Sequence, residues 1–350
     1  MKMALICPSN LLYMPYVKNY VQILKEEKIN YEIINWDRFQ IEEISENIYR
    51  DKKIGHQRNF FDYLKYRQFL LGKLDTLQYD KIIVFGIQLS YFLKNFLINK
   101  YKGKYVIDIR DYNKILRLFI NLSQLIDGSE FIVLSSPGFK KWLPKCNKYL
   151  INHNTQFTSL NDIKVPSNIF NKEKVTVANI GATRDLQINK DFIDSLKNNE
   201  KFKLNYHGDG VINDELIKLL SANDIRNVLI TGRYQKEEEA ELYAKNDFIN
   251  VLRYNDGINN KTALPNRLYN AVVYGKPLLA FKGTYLAEEI QRYNLGLVLT
   301  TMSDTANVLN TYLNEFNDEV YEKGRYSYFK GILQDNNDFN IKLKEFICIH

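Results

Sequence analysis

The chain has 350 residues, enough for two domains, and its 45% hydrophobic and 25% charged content is that of an ordinary globular protein. No apolar run reaches the roughly 20 residues of a membrane-spanning helix, and the apolar stretch after Lys2 ends at Pro8, too soon for a secretory signal. The 3 cysteines and 4 histidines lack metal-ligand spacing. We therefore expect a cytosolic protein without a metal centre.

The net charge of +7 is concentrated in one part of the chain. Residues 51–150 hold 18 Lys and Arg against 8 Asp and Glu, a difference of +10. Within 60–120 the basic residues alternate with Phe, Tyr and Leu, which favours a surface that rests on anionic lipid. Nucleic-acid binding is a rival interpretation that we do not expect to hold, and ordinary helices with solvated lysines explain the pattern equally well.

The first half of the chain alternates short apolar runs with helical periodicity. The predicted strands are 3–7, 31–34, 81–85, 105–109, 131–134 and 149–152. The predicted helices include 60–77, 89–99 and a strongly amphipathic one over 114–126, while 37–60 reads as helix and loop. This order predicts a parallel sheet with helices on its faces. The first turn lacks Gly-x-Gly-x-x-Gly, so it is not a dinucleotide fingerprint.

The pattern stops and then restarts in the second half. Residues 156–173 lack periodicity and are predicted to be a linker. The strands predicted beyond it are 175–180, 202–207, 228–231, 248–252, 278–281 and 297–300. The last thirty residues look helical, with breaks near Gly324 and Gly331. We therefore predict an α/β protein with two doubly wound domains, 1–155 and 174–320, followed by a helical segment over 321–350.

Four strands of the second domain end in polar loops that contain glycine, and the loops are 181–184, 208–210, 232–234 and 255–260. Ligands of open parallel sheets bind at the carboxyl ends of the strands. Glycine lets the backbone approach a diphosphate, Arg184 could bind that group with two nitrogens, and Lys190 could add a second charge. Tyr234 could stack on a base. Surface turns with a solvated arginine and a packed tyrosine are the alternative.

The stretch 259–281 places a polar loop, Pro265 and a helix in succession. Free amide groups and the helix dipole at such a helix start favour an anionic, hydroxyl-rich ligand. In the first domain, the strand 105–109 delivers Asp111 to its carboxyl end. There a carboxylate facing the interdomain cleft could orient an acceptor hydroxyl or stabilise positive charge at the anomeric carbon. A salt-bridged loop is the alternative.

The chain resembles GT-B glycosyltransferases of glycosyltransferase family 4, especially those of bacterial capsule and surface-polysaccharide synthesis. The matching motifs are YVIDIRDY (105–112), FIVLSSPGFKKWLP (131–144), ANIGATR (178–184), YHGDG (206–210), ITGRY (230–234) and LPNRLYNAVVYGKPLLAF (264–281). The resemblance implies two Rossmann-like domains facing a cleft. The C-terminal domain would bind the nucleotide sugar and the N-terminal one the acceptor, without a metal, and the final helix would cross back to the N-terminal domain.

By the same resemblance, Arg184 and Lys190 would hold the diphosphate, and residues 232–234 would flank the base. The family usually has two glutamates eight positions apart, the later one binding ribose hydroxyls, where this sequence has Thr262 and Asn270. Arg267 stands where the family usually has a lysine. The predicted catalytic residues are Asp111, Arg184 and Arg267. The residues predicted to bind substrate are Gly181, Thr183, Lys190, Gly208, Asp209, Gly232, Arg233, Tyr234, Asn259, Thr262, Asn266, Leu268 and Asn270.

The sequence therefore predicts a metal-independent glycosyltransferase. It would move a sugar from a nucleoside diphosphate to a saccharide or lipid-linked saccharide in bacterial polysaccharide synthesis, with retention of anomeric configuration implied by the resemblance. No cofactor is expected, since the donor is a substrate. The protein would be cytoplasmic, with 51–150 able to rest on the inner face of the cell membrane. The alternative is a non-catalytic nucleotide-sugar or glycan-binding partner of another transferase.

Overall fold

The computed structural model of the chain describes residues 1–118, 120–166 and 173–348, which form two compact units. The first unit comprises Met1–Asn154 together with the residues from Asp335 onward, and the second comprises Thr155–Gln334. Residues 167–172 of the predicted linker, Phe119 of the predicted helix 114–126, and the last two residues of the predicted segment 321–350 lie outside the described residues.

The first unit contains a seven-stranded sheet in the order β3-β2-β1-β4-β5-β6-β7, and all its pairs are parallel. The strands are β1 (Lys2–Cys7), β2 (Asn30–Asp37), β3 (Ile48–Arg50), β4 (Lys81–Phe85), β5 (Tyr105–Ile109), β6 (Phe131–Leu134) and β7 (Tyr149–Ile151). The central strands are buried along their whole length, because helices cover both faces of a parallel sheet. Their apolar runs are therefore continuous rather than alternating.

The helices of the first unit are α1 (Val17–Glu26), α2 (Phe60–Leu77), α3 (Ile87–Lys100) and α4 (Leu122–Gly128). A capping box starts α2: the Asn59 side chain accepts from the Asp62 amide (3.0 Å), and the Asp62 carboxylate accepts from the Asn59 amide (2.8 Å). Such caps satisfy amides that have no partner inside the helix.

Two predictions in the first unit are wrong. The stretch 37–60 contains β3, whose three residues are too few for a periodic signal. The single helix predicted over 114–126 is a 3₁₀ turn at Lys114–Leu118 and the separate helix α4. The amphipathic pattern misled the prediction there, because Leu118 and Ile120 are 57% and 94% exposed instead of packing on the sheet.

The second unit contains a six-stranded parallel sheet in the order β10-β9-β8-β11-β12-β13. The strands are β8 (Val175–Ile180), β9 (Phe202–His207), β10 (Val228–Gly232), β11 (Phe248–Asn250), β12 (Leu278–Phe281) and β13 (Gly296–Leu299). The helices are α5 (Leu186–Leu196), α6 (Asn213–Ala222), α7 (Glu239–Lys245), α8 (Ile258–Thr262), α9 (Asn266–Tyr274), α10 (Tyr285–Arg292) and α11 (Thr305–Glu315). Helix α8 lies where the sequence predicted only a loop.

Helix α12 (Asp318–Cys348) runs without interruption through Gly324 and Gly331, so the predicted breaks are wrong. Its first half packs into a core of the second unit through Phe329, and its second half packs into a core of the first unit through Phe339. A Cβ on Gly324 would lie 1.8 Å from the carbonyl oxygen of Tyr293. That glycine therefore permits a close approach and does not mark a break.

The strand order reverses between β1 and β4 in the first sheet and between β8 and β11 in the second. At such a switch point the loops diverge and leave a crevice at the carboxyl ends of the strands. In the second sheet the crevice is flanked by the loops after β8 and β11. In the described part of the chain, we find no helix that combines the length and the apolar character needed to cross a bilayer.

Candidate functional site

Three loops of the second unit are joined at the carboxyl edge of its sheet. They are the first loop (181–184) after β8, the second loop (208–210) after β9 and the third loop (232–234) at the end of β10. Three main-chain hydrogen bonds join these elements: from Gly181 N to His207 O (2.8 Å), from Thr183 N to Asp209 O (3.2 Å) and from Gly208 N to Gly232 O (2.7 Å). The first, second and third loops therefore form one continuous surface.

The glycines of the second loop are needed because the first loop packs against them. A Cβ on Gly208, whose φ is +136°, would lie 2.2 Å from the Gly181 carbonyl oxygen, and one on Gly210 would lie 2.0 Å from that of Thr183. Thr183 is buried, and its hydroxyl donates to Asn213. Gly208 and Thr183 were predicted to bind substrate, and the structure places them where they hold the two loops together.

Arg267, on the first turn of α9, reaches back to the switch point between β8 and β11. Its guanidinium donates to the Asn250 carbonyl oxygen (2.9 Å) and to the side chain of Asn179. Burial lowers the pKa of Arg267, the nearby Tyr243 raises it, and the charge of Arg184 lowers it. The charge of Arg184, the other predicted arginine, therefore lies within electrostatic range of Arg267.

Arg253, which the sequence analysis missed, completes this group. It follows β11 by three residues, and burial together with the charges of Arg267 and Arg184 lowers its pKa to about 10, against a smaller raising effect of Asp185. Its Nε is buried and has no hydrogen-bond partner among the described residues. We name Arg184, Arg253 and Arg267 the arginine cluster.

The arginine cluster has the chemistry of an anion site. A buried polar group without a partner costs free energy, and like charges close together cost more. An anion with several oxygens would satisfy the Arg253 Nε and offset the repulsion at once, since guanidinium groups bind phosphates with two parallel hydrogen bonds. The position of Arg253 directly beyond a buried strand could have signalled it, as it did for Arg184.

The third loop places Tyr234 beside the first loop. A Cβ on Gly181 would lie 4.0 Å from the Tyr234 hydroxyl, which donates to Glu239 Oε1 at 3.3 Å. Burial raises the pKa of Tyr234, the charge of Glu239 raises it further, and Arg267 lowers it. Arg233 is exposed. Tyr234 is therefore hydrogen-bonded to a buried carboxylate and lies within electrostatic range of Arg267.

An open depression of about 680 Å³ lies beside the second and third loops. Asp209 and Gly232, both predicted to bind substrate, line it together with Thr231 and the start of α6. Its volume is within the range of small-molecule pockets. Lys190 lies on α5, and its Nζ is 3.9 Å from Glu215 of α6. An acidic side chain therefore already faces the lysine that was predicted to bind the diphosphate.

The remaining predicted residues lie on α8 and α9. Asn259 is on the first turn of α8, and Thr262 is buried at its end, donating its hydroxyl to the Ile258 carbonyl oxygen (2.7 Å). Asn266 begins α9 and is exposed, and Asn270 is buried. The side chain of Leu268 lies in the core, and its amide donates to the Pro265 carbonyl oxygen (3.0 Å).

In the first unit, Asp108 and Arg110 form a buried ion pair. Arg110 Nε and Nη2 donate to the two oxygens of Asp108 at 2.6 and 2.7 Å, and the Tyr20 hydroxyl donates to Asp108 at 2.6 Å. Burial lowers the pKa of Arg110, and Asp108 raises it beyond its ordinary value. This pair fixes the end of β5, just before the exposed Asp111.

The loops at the carboxyl edge of the first sheet expose large apolar side chains. Leu12 follows β1, Ile44 follows β2, Phe61 follows β3 at the start of α2, and Ile120 follows β5; their exposed fractions are 70, 83, 70 and 94%. Because all strands are parallel, these loops share one edge. Among the described residues we find no group of three His, Cys, Asp or Glu side chains that could hold a metal ion.

Searches with family models and against curated sequences find no match to the chain. Solved structures match almost its whole length. It is similar to sucrose-phosphate synthase from Thermosynechococcus elongatus, with a TM-score of 0.70 and 13% identity over 98% of this chain and 99% of that one. It is also similar to the apo form of the lipopolysaccharide outer core galactosyltransferase WaaB (TM-score 0.67, 14% identity, 97% of this chain and 99% of that one).

A third similar structure is that of HepE from Anabaena in complex with UDP and glucose, with a TM-score of 0.64 and 14% identity over 99% of this chain and 100% of that one. Likeness at these identities shows the fold. The chain therefore has the two-unit GT-B fold, as the sequence predicted.

Proposed function

We propose that this GT-B chain is a glycosyltransferase whose second unit binds a nucleoside diphosphate sugar. The observation that carries the proposal is the arginine cluster at the β8/β11 switch point, with the unsatisfied Nε of Arg253. A diphosphate supplies the charge and the acceptor oxygens that this cluster lacks. HepE, which has the same fold, holds UDP and glucose, and this supports the assignment.

In the proposed reaction the bond between the anomeric carbon and the diphosphate breaks, and negative charge develops on the leaving diphosphate. Guanidinium groups positioned before the reaction stabilise that charge without reorganisation, which is a main source of catalysis in such reactions. Arg184, Arg253 and Arg267 would supply this stabilisation, and we propose that no metal ion is required. Retention of configuration remains a proposal that rests on the sequence resemblance.

We propose that the first unit binds the acceptor, a saccharide or lipid-linked saccharide of bacterial polysaccharide synthesis. The name of WaaB, a lipopolysaccharide galactosyltransferase, supports this substrate class. The exposed apolar side chains at the carboxyl edge of the first sheet and the +10 charge of residues 51–150 support contact with the inner, anionic face of a membrane. Equal sedimentation with anionic and neutral vesicles would contradict this contact.

The proposed function is tested by incubating the protein with UDP-, GDP-, CMP- and dTDP-linked sugars, with and without saccharide acceptors, and measuring released nucleotide. We expect release from at least one donor. Binding of a donor without release under every condition would favour the non-catalytic sugar-nucleotide-binding partner, a role that the absence of acidic side chains at Thr262 and Asn270 makes worth testing. Neither binding nor release would contradict both functions.

A further inference from the structure

Helices α7 and α9 are held side by side in the second unit. Each follows the carboxyl end of a parallel strand, β10 and β11 respectively, so both begin at the same edge of the sheet and run in the same direction. Near their C-terminal ends the rings of Tyr243 and Tyr274 stack, with centroids 4.9 Å apart and an interplanar angle of 21°. This contact fixes the register of the two helices.

One turn before each of the stacked tyrosines lies a buried polar side chain. One turn before Tyr243 on α7 is Glu239, and one turn before Tyr274 on α9 is Asn270; they are 8% and 7% exposed. Burial raises the pKa of the intervening Tyr243, Glu239 raises it further, and Arg267 and Asn270 lower it. Glu239, Asn270 and Arg267 therefore all act on the pKa of one tyrosine, and Arg267 lies one turn before Asn270 on α9.

Glu239 has acceptor capacity beyond its present contacts. Its Oε1 accepts from the Tyr234 hydroxyl (3.3 Å), and its Oε2 pairs with Lys236, whose side chain is 60% exposed. An ionised carboxylate offers about four lone-pair sites, and an asparagine amide adds two donors and an acceptor. Together, the Glu239 carboxylate and the Asn270 amide could bind a pair of vicinal hydroxyls, because each hydroxyl can donate one hydrogen bond and accept another.

We propose that Glu239 and Asn270 bind the 2′- and 3′-hydroxyls of the donor's ribose, with the carboxylate supplied from α7. This inference rests on the proposed function, because it takes the diphosphate to occupy the arginine cluster. In a nucleoside diphosphate the ribose is attached directly to the diphosphate. When the diphosphate contacts Arg267, the ribose therefore lies near the next turn of α9, which carries Asn270. Carboxylates are the usual protein ligands of a ribose diol.

The test compares the ribonucleoside diphosphate that binds the wild-type protein best among UDP, GDP, ADP and CDP with its 2′,3′-dideoxy analogue. Wild-type protein should prefer the ribonucleotide by a factor on the order of ten or more, since hydrogen bonds to a charged group are strong. Glu239→Gln should lose most of that preference while binding the dideoxy analogue as wild type does. Glu237→Gln, an exposed change on the adjacent turn, is the matched control and should keep the preference.

Unchanged affinity for the dideoxy analogue also shows that the variant is folded. The inference is overturned if wild-type protein binds both nucleotides equally, or if Glu239→Gln retains the wild-type preference. If no nucleoside diphosphate binds the wild-type protein, the proposed function itself fails, which is a different result from either of these.

Discussion

At the residue scale, the proposed anion site depends most on Arg253, whose buried Nε has no hydrogen-bond partner among the described residues. Arg184 was predicted because it follows a glycine-containing loop, and Arg267 because it lies in the motif that resembles the family. Arg253 follows a buried strand, but its proposed role depends on burial and on the charges of Arg267, Asp185 and Arg184, which come from other parts of the chain. Only the folded structure brings these groups together. The sequence therefore could not predict the unpartnered Nε of Arg253, or that Glu239 and Asn270 both act on Tyr243.

Asp108 and Arg110, which flank the last residue of β5, form a buried ion pair. Asp111, the predicted catalytic carboxylate, follows this pair in the chain and is exposed. Residues that are already fully hydrogen-bonded have little capacity left for a substrate.

We predict that Asp111→Asn lowers transfer to an acceptor at least tenfold while leaving nucleotide binding unchanged. The substitution keeps the size of the side chain but removes the charge proposed to orient the acceptor hydroxyl, and such groups contribute roughly a hundredfold or more to rates. The measurement is the transfer rate beside a titration with the donor nucleotide. Asp127→Asn, on α4 of the same unit, serves as control; wild-type transfer by Asp111→Asn would remove Asp111 from the catalytic residues.

At the scale of elements, the sequence predicted most central strands because buried parallel strands are continuous apolar runs. It was wrong where an element depends on contacts with other parts of the chain. Strand β3 exists because it pairs with β2, and α12 continues through two glycines because tertiary packing outweighs their low helix propensity. Periodicity carries no information about either contact.

Helix α12 gives a matched pair of substitutions. Gly324→Ala should destabilise the protein by about 2 kcal/mol, because the added Cβ meets the Tyr293 carbonyl oxygen. Gly331→Ala should stabilise it by roughly 0.5–1 kcal/mol, because the position is exposed, nothing lies within 4 Å of its Cβ, and alanine favours the helix. Urea unfolding measures both. Equal effects of the two changes would mean that Gly324 is not at a close contact.

At the scale of the whole molecule, the chain contains two doubly wound units, each with a parallel sheet whose strand ends carry loops. The order of elements sufficed to predict this architecture, and the similarity to solved GT-B structures confirms it. In the second unit the arginine cluster lies near the switch point of the sheet, and the Nε of Arg253 has no hydrogen-bond partner among the described residues. The central claim is therefore that the charge of this cluster exists to bind a diphosphate.

That claim is tested most directly by calorimetric titration of wild-type protein, Arg253→Met and Arg226→Met with UDP, GDP, ADP and CDP. Arg226 is an exposed arginine paired with Asp224, and it serves as the control. We predict that at least one nucleotide binds the wild-type protein and Arg226→Met equally. Arg253→Met should bind it at least tenfold more weakly, because a guanidinium proposed to hold the diphosphate is lost. Thermal stability should not fall, because the buried Nε of Arg253 has no hydrogen-bond partner among the described residues to lose. Wild-type affinity in Arg253→Met, or no binding by the wild-type protein, would contradict the account.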